Sequence, residues 1–346
     1  MILREQTPDF ERVKTALRFQ EPDRVPNFEI CVARPVREAL LGGSLPDGLE
    51  SELVYRPALH YDFIFLNPPY RRTPVYSRNA ELNSDGRAWV DQHANLVTDW
   101  ESFRNYTEYP DGDAPLDMRE IAEGCRRVRK APGNLGVGAL LPSCPFTEIN
   151  LVMGYENFSI ALYDNYELCE ALVEKFGKVG VASARQLAES DVDFVFFGDD
   201  MAYSGGLMIS PDFMRKLFFP WYRQFIEIIR NAGKPILFHS DGNISPLIPD
   251  WIDAGLSGLN PIEPLAMDIT ALKQETAGKL VLTGNIDVDL LTRGTPEAVA
   301  ALTRERLEQL KPGGGYMLGS SNSVCDYVNP ELYKTMLETN YEYGVY

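Results

Sequence analysis

The sequence predicts an α/β protein: a single (β/α)8 barrel of the TIM type over residues 1–346, with an N-terminal extension and a β-hairpin excursion. Two observations carry this expectation. Short apolar runs recur along the chain, each ending in an acid, an amide or a histidine, and stretches of helical periodicity separate them. Buried parallel strands read as continuous hydrophobic runs, and a barrel of such strands gathers its active site at their C-terminal ends. The chain is long enough for one large α/β barrel or for two ordinary domains, and a doubly wound open sheet is the alternative to the barrel.

The elements follow in order. Glu11 to Phe19 is amphipathic, with Val13, Ala16 and Leu17 on one face, and Pro22 and Pro26 stop it. Val25 to Val32 reads as the first strand and Tyr61 to Leu66 as the second. Residues 71–111 alternate polar and apolar around Ser84-Asp85-Gly86, the pattern of a hairpin outside the barrel. A helix near Met118 to Arg129 leads to a third strand, Leu135 to Leu141, and a long helix runs from about Tyr166 to Ser190. The fourth strand, Val192 to Phe197, ends in Gly198-Asp199-Asp200; the fifth, Pro235 to Phe238, in His239-Ser240-Asp241-Gly242. Gly258-Leu259, Leu280 to Leu282 and Tyr316 to Leu318 complete the eight, and a long helix is expected over Asp212 to Ala232. Thr295-Pro296-Glu297 is a helix start, because Thr caps and Pro needs no N–H in the first turn; Pro330 opens the last helix likewise. Gly313-Gly314-Gly315 precedes a strand rather than following one, which reads as a tight turn and not a phosphate loop.

A formal net charge of -17 argues against a nucleic-acid partner, since phosphate binding needs a basic surface. Five scattered cysteines lack CxxC spacing, so neither a disulfide framework nor a thiolate knuckle is expected. No apolar run approaches membrane length and no signal core opens the chain; a cytoplasmic enzyme is the expectation, with homodimerisation left open. P-loop, GxGxxG, nucleophile-elbow and HExxH motifs are all missing from the sequence.

His239 is the leading candidate for chemistry. It ends a buried strand two residues before Asp241, and i and i+2 of an extended segment project the same way. Such a pair can bind a divalent metal, zinc or another, or work as an acid–base couple, with the histidine oriented by the acid. Asp199 and Asp200 close the preceding strand, where one acid can coordinate a cation or move a proton while the other caps a helix or pairs with an arginine. Asn260, Glu263, Asn285, Asp287 and Asn322 end later strands and are candidates for substrate binding, although Asp287 can equally cap the helix near Val288. Tyr70, Tyr203 and Tyr327 can line an apolar pocket or pack in the core. His60 and His93 read as surface or hairpin residues.

Glu11-Arg12-Val13 through Leu17, followed by Pro22-Asp23-Arg24-Val25-Pro26, resembles the opening of the uroporphyrinogen decarboxylase superfamily, which includes corrinoid-dependent methyltransferases. The likeness continues through Gly198-Asp199-Asp200, the helix after Ser210-Pro211, Phe238-His239-Ser240-Asp241-Gly242, Gly284-Asn285-Ile286-Asp287 and Gly294-Thr295-Pro296-Glu297. It implies a TIM-type barrel with its cleft at the C-terminal face. The arginine-rich motif of the decarboxylases is absent from Asn27-Phe28-Glu29-Ile30-Cys31-Val32-Ala33-Arg34, which favours the methyltransferase branch. In that branch a His-x-Cys pair and a distant Cys hold zinc. Here His239 matches the histidine, Asp241 replaces the first cysteine, and Ser320, Ser321 or Asn322 stands near the second, with Cys325 several residues later. A His/Asp site is harder than a thiolate site and suits polarising oxygen. The resemblance therefore implies transfer of a methyl group between a small methylated substrate, O-methyl compounds among the candidates, and a corrinoid carried by a partner protein. The alternatives are a lyase acting on a carboxylated or tetrapyrrole ligand, and a non-catalytic tetrapyrrole carrier.

Overall fold

A computed structural model describes residues 6–67, 95–107, 115–142 and 144–346, and the backbone of 80–82 and 88–90. Seven parallel strands form one curled sheet in chain order: β1 (Phe63–Leu66), β2 (Gly136–Leu140), β3 (Phe194–Gly198), β4 (Ile236–His239), β5 (Gly258–Asn260), β6 (Val281–Ile286) and β7 (Tyr316–Ser320). Ala80–Leu82 and Ala88–Val90 pair antiparallel, within the segment read as a hairpin. Among the described residues no helix is long and apolar enough to cross a membrane.

Strand alternation sorts the side chains onto two faces. Val137, Val195, Phe197, Ile236, Phe238 and Leu282 join the large core under the helices. Phe63, Phe65, Phe194, Phe196, Leu237, Val281 and Met317 form a second core on the concave face, where they meet Phe28 and Phe10, Val13 and Ala16 around the helix Glu11–Leu17. Glycine on β2 makes room for these rings. A Cβ on Gly136 would lie 2.1 Å from the Phe10 ring, and one on Gly138 would lie 2.4 Å from Phe194. The result is a plugged interior whose polar residues gather at the C-terminal strand ends.

The expectation of a closed eight-stranded barrel is not met: the sheet is open, with β1 and β7 at its edges. The predicted first strand, Val25 to Val32, is irregular. It makes single parallel bridges at Asn27–Leu318 and Val32–Val324 only. The reason is where its backbone groups go. Pro26 has no N–H to give. On the β1 side, the Arg56 guanidinium donates to the carbonyls of Glu29 (2.7 Å) and Ile30 (2.8 Å), while Asn27 Nδ2 donates to His60 O. Side chains thus occupy the acceptors a ladder needs.

Other local readings differ in detail. The helix expected over Asp212 to Ala232 is Pro211–Phe213, a widened turn over Met214–Phe218, and Phe219–Asn231; Pro220 cannot donate within it. Thr295 and Asn329 cap the helices Pro296–Leu310 and Pro330–Tyr343. His60 is buried, at φ +63°, with its ring against Tyr341, so it is not a surface residue. His93 lies outside the described residues.

Candidate metal and acid–base centre

β4 carries Leu237 and His239 on the concave face, and His239 closes the row beside Phe196, ring centroids 6.2 Å apart. Gly198 of β3 pairs with His239. Two residues further along, Asp200 comes alongside, its Oδ1 3.6 Å from His239 Nε2. Asp241 Oδ1 lies 3.7 Å from the same nitrogen. One ligand atom from each of Asp200, His239 and Asp241 falls within 4.8 Å of the others, without a thiolate among them.

The turn after β4 is built to hold this geometry. Gly242 has φ +80°, and a Cβ there would meet the Ala202–Tyr203 backbone at 2.6 Å. Its N–H donates to Glu263 Oε2 at 2.9 Å, and the Asp241 N–H donates to Asp200 Oδ1 at 3.2 Å. Asn322 Nδ2 donates to Asp241 Oδ2 at 2.9 Å, which leaves the buried Asp241 Oδ1 without a hydrogen-bond partner.

The imidazole tautomer follows from its neighbours. Asn260 Nδ2 donates to Thr283 Oγ1 at 2.6 Å, so Asn260 Oδ1 turns to His239 Nδ1, 3.0 Å away, and accepts its hydrogen. Nε2 then faces two carboxylates. Metal-binding histidines commonly donate their other N–H to an oxygen in this manner. Burial pushes the Asp241 carboxyl above its ordinary value; the Asp200 charge adds to this, while His239 and Asn322 oppose it. Burial raises Glu263 as well, against the Gly242 N–H. Among the described residues no Lys or Arg forms an ion pair with Asp200, Asp241 or Glu263. A divalent cation would fit here: it would neutralise the charge and give Asp241 Oδ1 a partner. Tetrahedral ligand atoms lie roughly 3.3 Å apart around zinc, close to the two separations seen here.

The remaining sequence candidates divide. Asp199 points away from the mouth, fully buried. It accepts from Phe146 N (2.9 Å), Thr147 N (2.7 Å), Thr147 Oγ1 (2.8 Å) and Tyr222 Oη (2.7 Å), which ties it to the start of the helix Pro145–Met153. Burial pushes its pKa up to about 7 against these donors. Asn285, at φ +81°, turns its side chain to Ile262 O and the Arg306 guanidinium instead of the cluster. Asp287 caps the helix Val288–Arg293 through Asp289 N. Tyr203 and Tyr327 are exposed, and Tyr70 lies outside the described residues. Thr283 and Glu29 are polar groups that sequence reasoning passed over. Thr283 sits inside a strand run, and no local motif flags it.

A cavity of about 910 Å³ lies beyond the β1 edge, and the cluster does not line it. Four arginines do, each with an acid: Arg37 and Arg56 with Glu52, Arg119 with Asp117, Arg127 with Glu50. The cationic group that a carboxylated ligand requires is thus present but engaged by three carboxylates, Glu52 serving two of the arginines, a feature hidden in the sequence because its members are far apart.

The family model described as Uroporphyrinogen decarboxylase (URO-D) matches residues 85–343. Among solved structures, the chain is similar to a methyltransferase from Methanosarcina mazei, with a TM-score of 0.69 and 18% identity over 96% of this chain and 97% of that one. That likeness is one of fold. Weaker likenesses reach a B12-independent methionine synthase from Shewanella sp. W3-18-1 (TM-score 0.44, 17% identity, 65% of this chain and 64% of that one). A putative vitamin-B12 independent methionine synthase from Listeria monocytogenes has a TM-score of 0.45 and 13% identity over 93% and 97%. No curated protein matches the sequence.

Proposed function

The chain belongs to the uroporphyrinogen decarboxylase family, and from that premise we propose that it is a methyltransferase. It moves a methyl group from a small methylated substrate, of O-methyl character, to the Co(I) centre of a corrinoid held by a partner protein. The observation that carries this reading is the thiolate-free Asp200–His239–Asp241 cluster, in which His239 Nε2 faces an Asp241 oxygen that has no hydrogen-bond partner. These three side chains would hold the ion. When bound, a divalent metal supplies Lewis-acid polarisation of an ether oxygen, suited to a hard N/O donor set.

The chain's own residues prepare that site. Asn260 keeps the hydrogen on Nδ1, Asn322 fixes one Asp241 oxygen, and Glu263 holds the turn through Gly242 N. In such a transfer the carbon–oxygen bond would break with its electron pair staying on oxygen, the partner's reduced corrinoid would take the methyl, and the oxygen would take a proton from water. The protein offers no nucleophile because the reduced cobalt is one. The lyase reading is weaker, since each arginine at the roomy cavity already has an acid.

The test is the metal content of anaerobically purified protein by elemental mass spectrometry, beside His239→Ala and Asp241→Ala. About one ion per chain, lost in both variants, supports the reading. Protein that is metal-free and takes up no zinc on reconstitution removes the metal and leaves His239 as an acid–base residue. Methyl ethers are then assayed with a Co(I) corrinoid protein; turnover without any corrinoid would overturn the methyltransferase assignment.

A further inference from the structure

Glu29 is buried beside the end of β7, in a place the proposed chemistry does not use. Gly319 lets the chains approach, since a Cβ there would lie 2.2 Å from Phe28 O. Ser320 N donates to Glu29 Oε1 at 2.6 Å, and Ser320 Oγ lies 2.9 Å from Glu29 Oε2. Ser320 Oγ is also hydrogen bonded to the Asn322 carbonyl. A hydroxyl carries one hydrogen, and a carbonyl brings none. If the serine hydrogen goes to Asn322 O, the contact with Glu29 needs a hydrogen from the carboxyl. An ionised Glu29 would leave two acceptors facing each other out of water.

From this count we infer that Glu29 is a neutral carboxylic acid that donates to Ser320 Oγ and so positions Asn322 against Asp241. The chain runs Glu29 to Ser320 to the Asn322 carbonyl. Asn322 Oδ1 is occupied by Ser323 N, which directs Nδ2 to Asp241 Oδ2. The surrounding groups agree. The Arg56 guanidinium spends its hydrogens on Glu29 O, Ile30 O and Glu52 rather than on the Glu29 carboxylate. The Tyr61 and Tyr333 hydroxyls bond each other. Burial pushes the Glu29 pKa up to about 8, against the Ser320 N–H and the Arg56 charge. Because the relay stops at a carbonyl, Glu29 delivers no proton to the mouth. It is a positioning residue, and its neutrality keeps a further negative charge away from Asp200, Asp241 and Glu263.

The protonation stands on its own, whereas the positioning role rests on the proposed metal site, so the test reads them separately. Infrared difference spectra of wild type minus Glu29→Gln, on metal-free protein at neutral pH, should contain the carbonyl stretch of a protonated carboxylic acid. Its absence overturns the inference. Zinc titration supplies the second readout. Gln can accept from Ser320 N and donate to Ser320 Oγ, so Glu29→Gln should keep zinc affinity within about twofold, while Ser320→Ala should lose about tenfold, as outer-sphere changes do. Unchanged affinity in Ser320→Ala, or a tenfold loss in Glu29→Gln, overturns the positioning role. Wild-type protein that binds no zinc fails the functional reading instead and leaves the infrared result intact.

Discussion

Asp199 and Asp200 are chain neighbours with opposite duties, and replacing each in turn gives opposite outcomes. Removing the Asp199 carboxylate strands the N–H groups of Phe146 and Thr147 and the hydroxyl of Tyr222, with Phe146 and Tyr222 fully buried. Each stranded buried donor costs about 1–3 kcal/mol. Thr147 is only half-buried and water can reach it, so Asp199→Ala should cost about 3–5 kcal/mol in all. Asp199→Asn should cost less. One amide oxygen replaces two carboxylate oxygens, the Tyr222 hydroxyl can turn to accept, and either amide orientation strands one backbone N–H, about 1–3 kcal/mol. Urea unfolding of wild type and both variants measures this, with the slope checked for constancy. Zinc binding should survive both changes. Asp200→Ala should do the reverse: an exposed side chain is lost, stability stays within about 1 kcal/mol, and zinc binding falls. An Asp199→Ala protein as stable as wild type, or one that loses zinc while Asp200→Ala keeps it, refutes the division of labour.

Arg56→Ala should destabilise the fold by about 3–5 kcal/mol, because Glu52 and the Glu29 and Ile30 carbonyls lose a buried cation; calorimetry of the folded protein checks it. Gly242→Ala should weaken zinc binding more than it lowers stability, since a Cβ would force the Asp241 turn away from Tyr203; paired zinc titration and urea unfolding separate the two effects. A raised carboxyl binds its proton more tightly in the folded chain, so Glu29 adds stability fully below its ordinary value of 4.5 and loses it as pH rises to about 8. Urea midpoints of wild type should fall across that window more steeply than those of Glu29→Gln, and parallel curves would contradict a neutral Glu29.

The seven sheet strands are legible in the sequence because a strand buried on both faces must be apolar throughout, and each run stops where polar residues reach the mouth. His239 is legible for the same reason: a rare side chain at the end of such a run. Closure is not legible. Val25 to Val32 has the composition of a strand, yet Arg56, distant in sequence, takes two of its carbonyls and leaves the sheet open. The mouth is legible only in outline. Asn285 has the residue type of a ligand-binding amide, and its positive φ sends it to Arg306 instead.

What the sequence by itself determined is periodicity: which runs are buried, where helices start, and which strand ends bring polar groups to the mouth. Those depend on neighbours in the chain. The tertiary structure decided which of two adjacent aspartates faces the histidine, which arginines are already paired, and where Glu29 finds its hydrogen-bond partner. Those depend on groups far apart in the chain, whose meeting is set by packing in three dimensions and leaves no local mark.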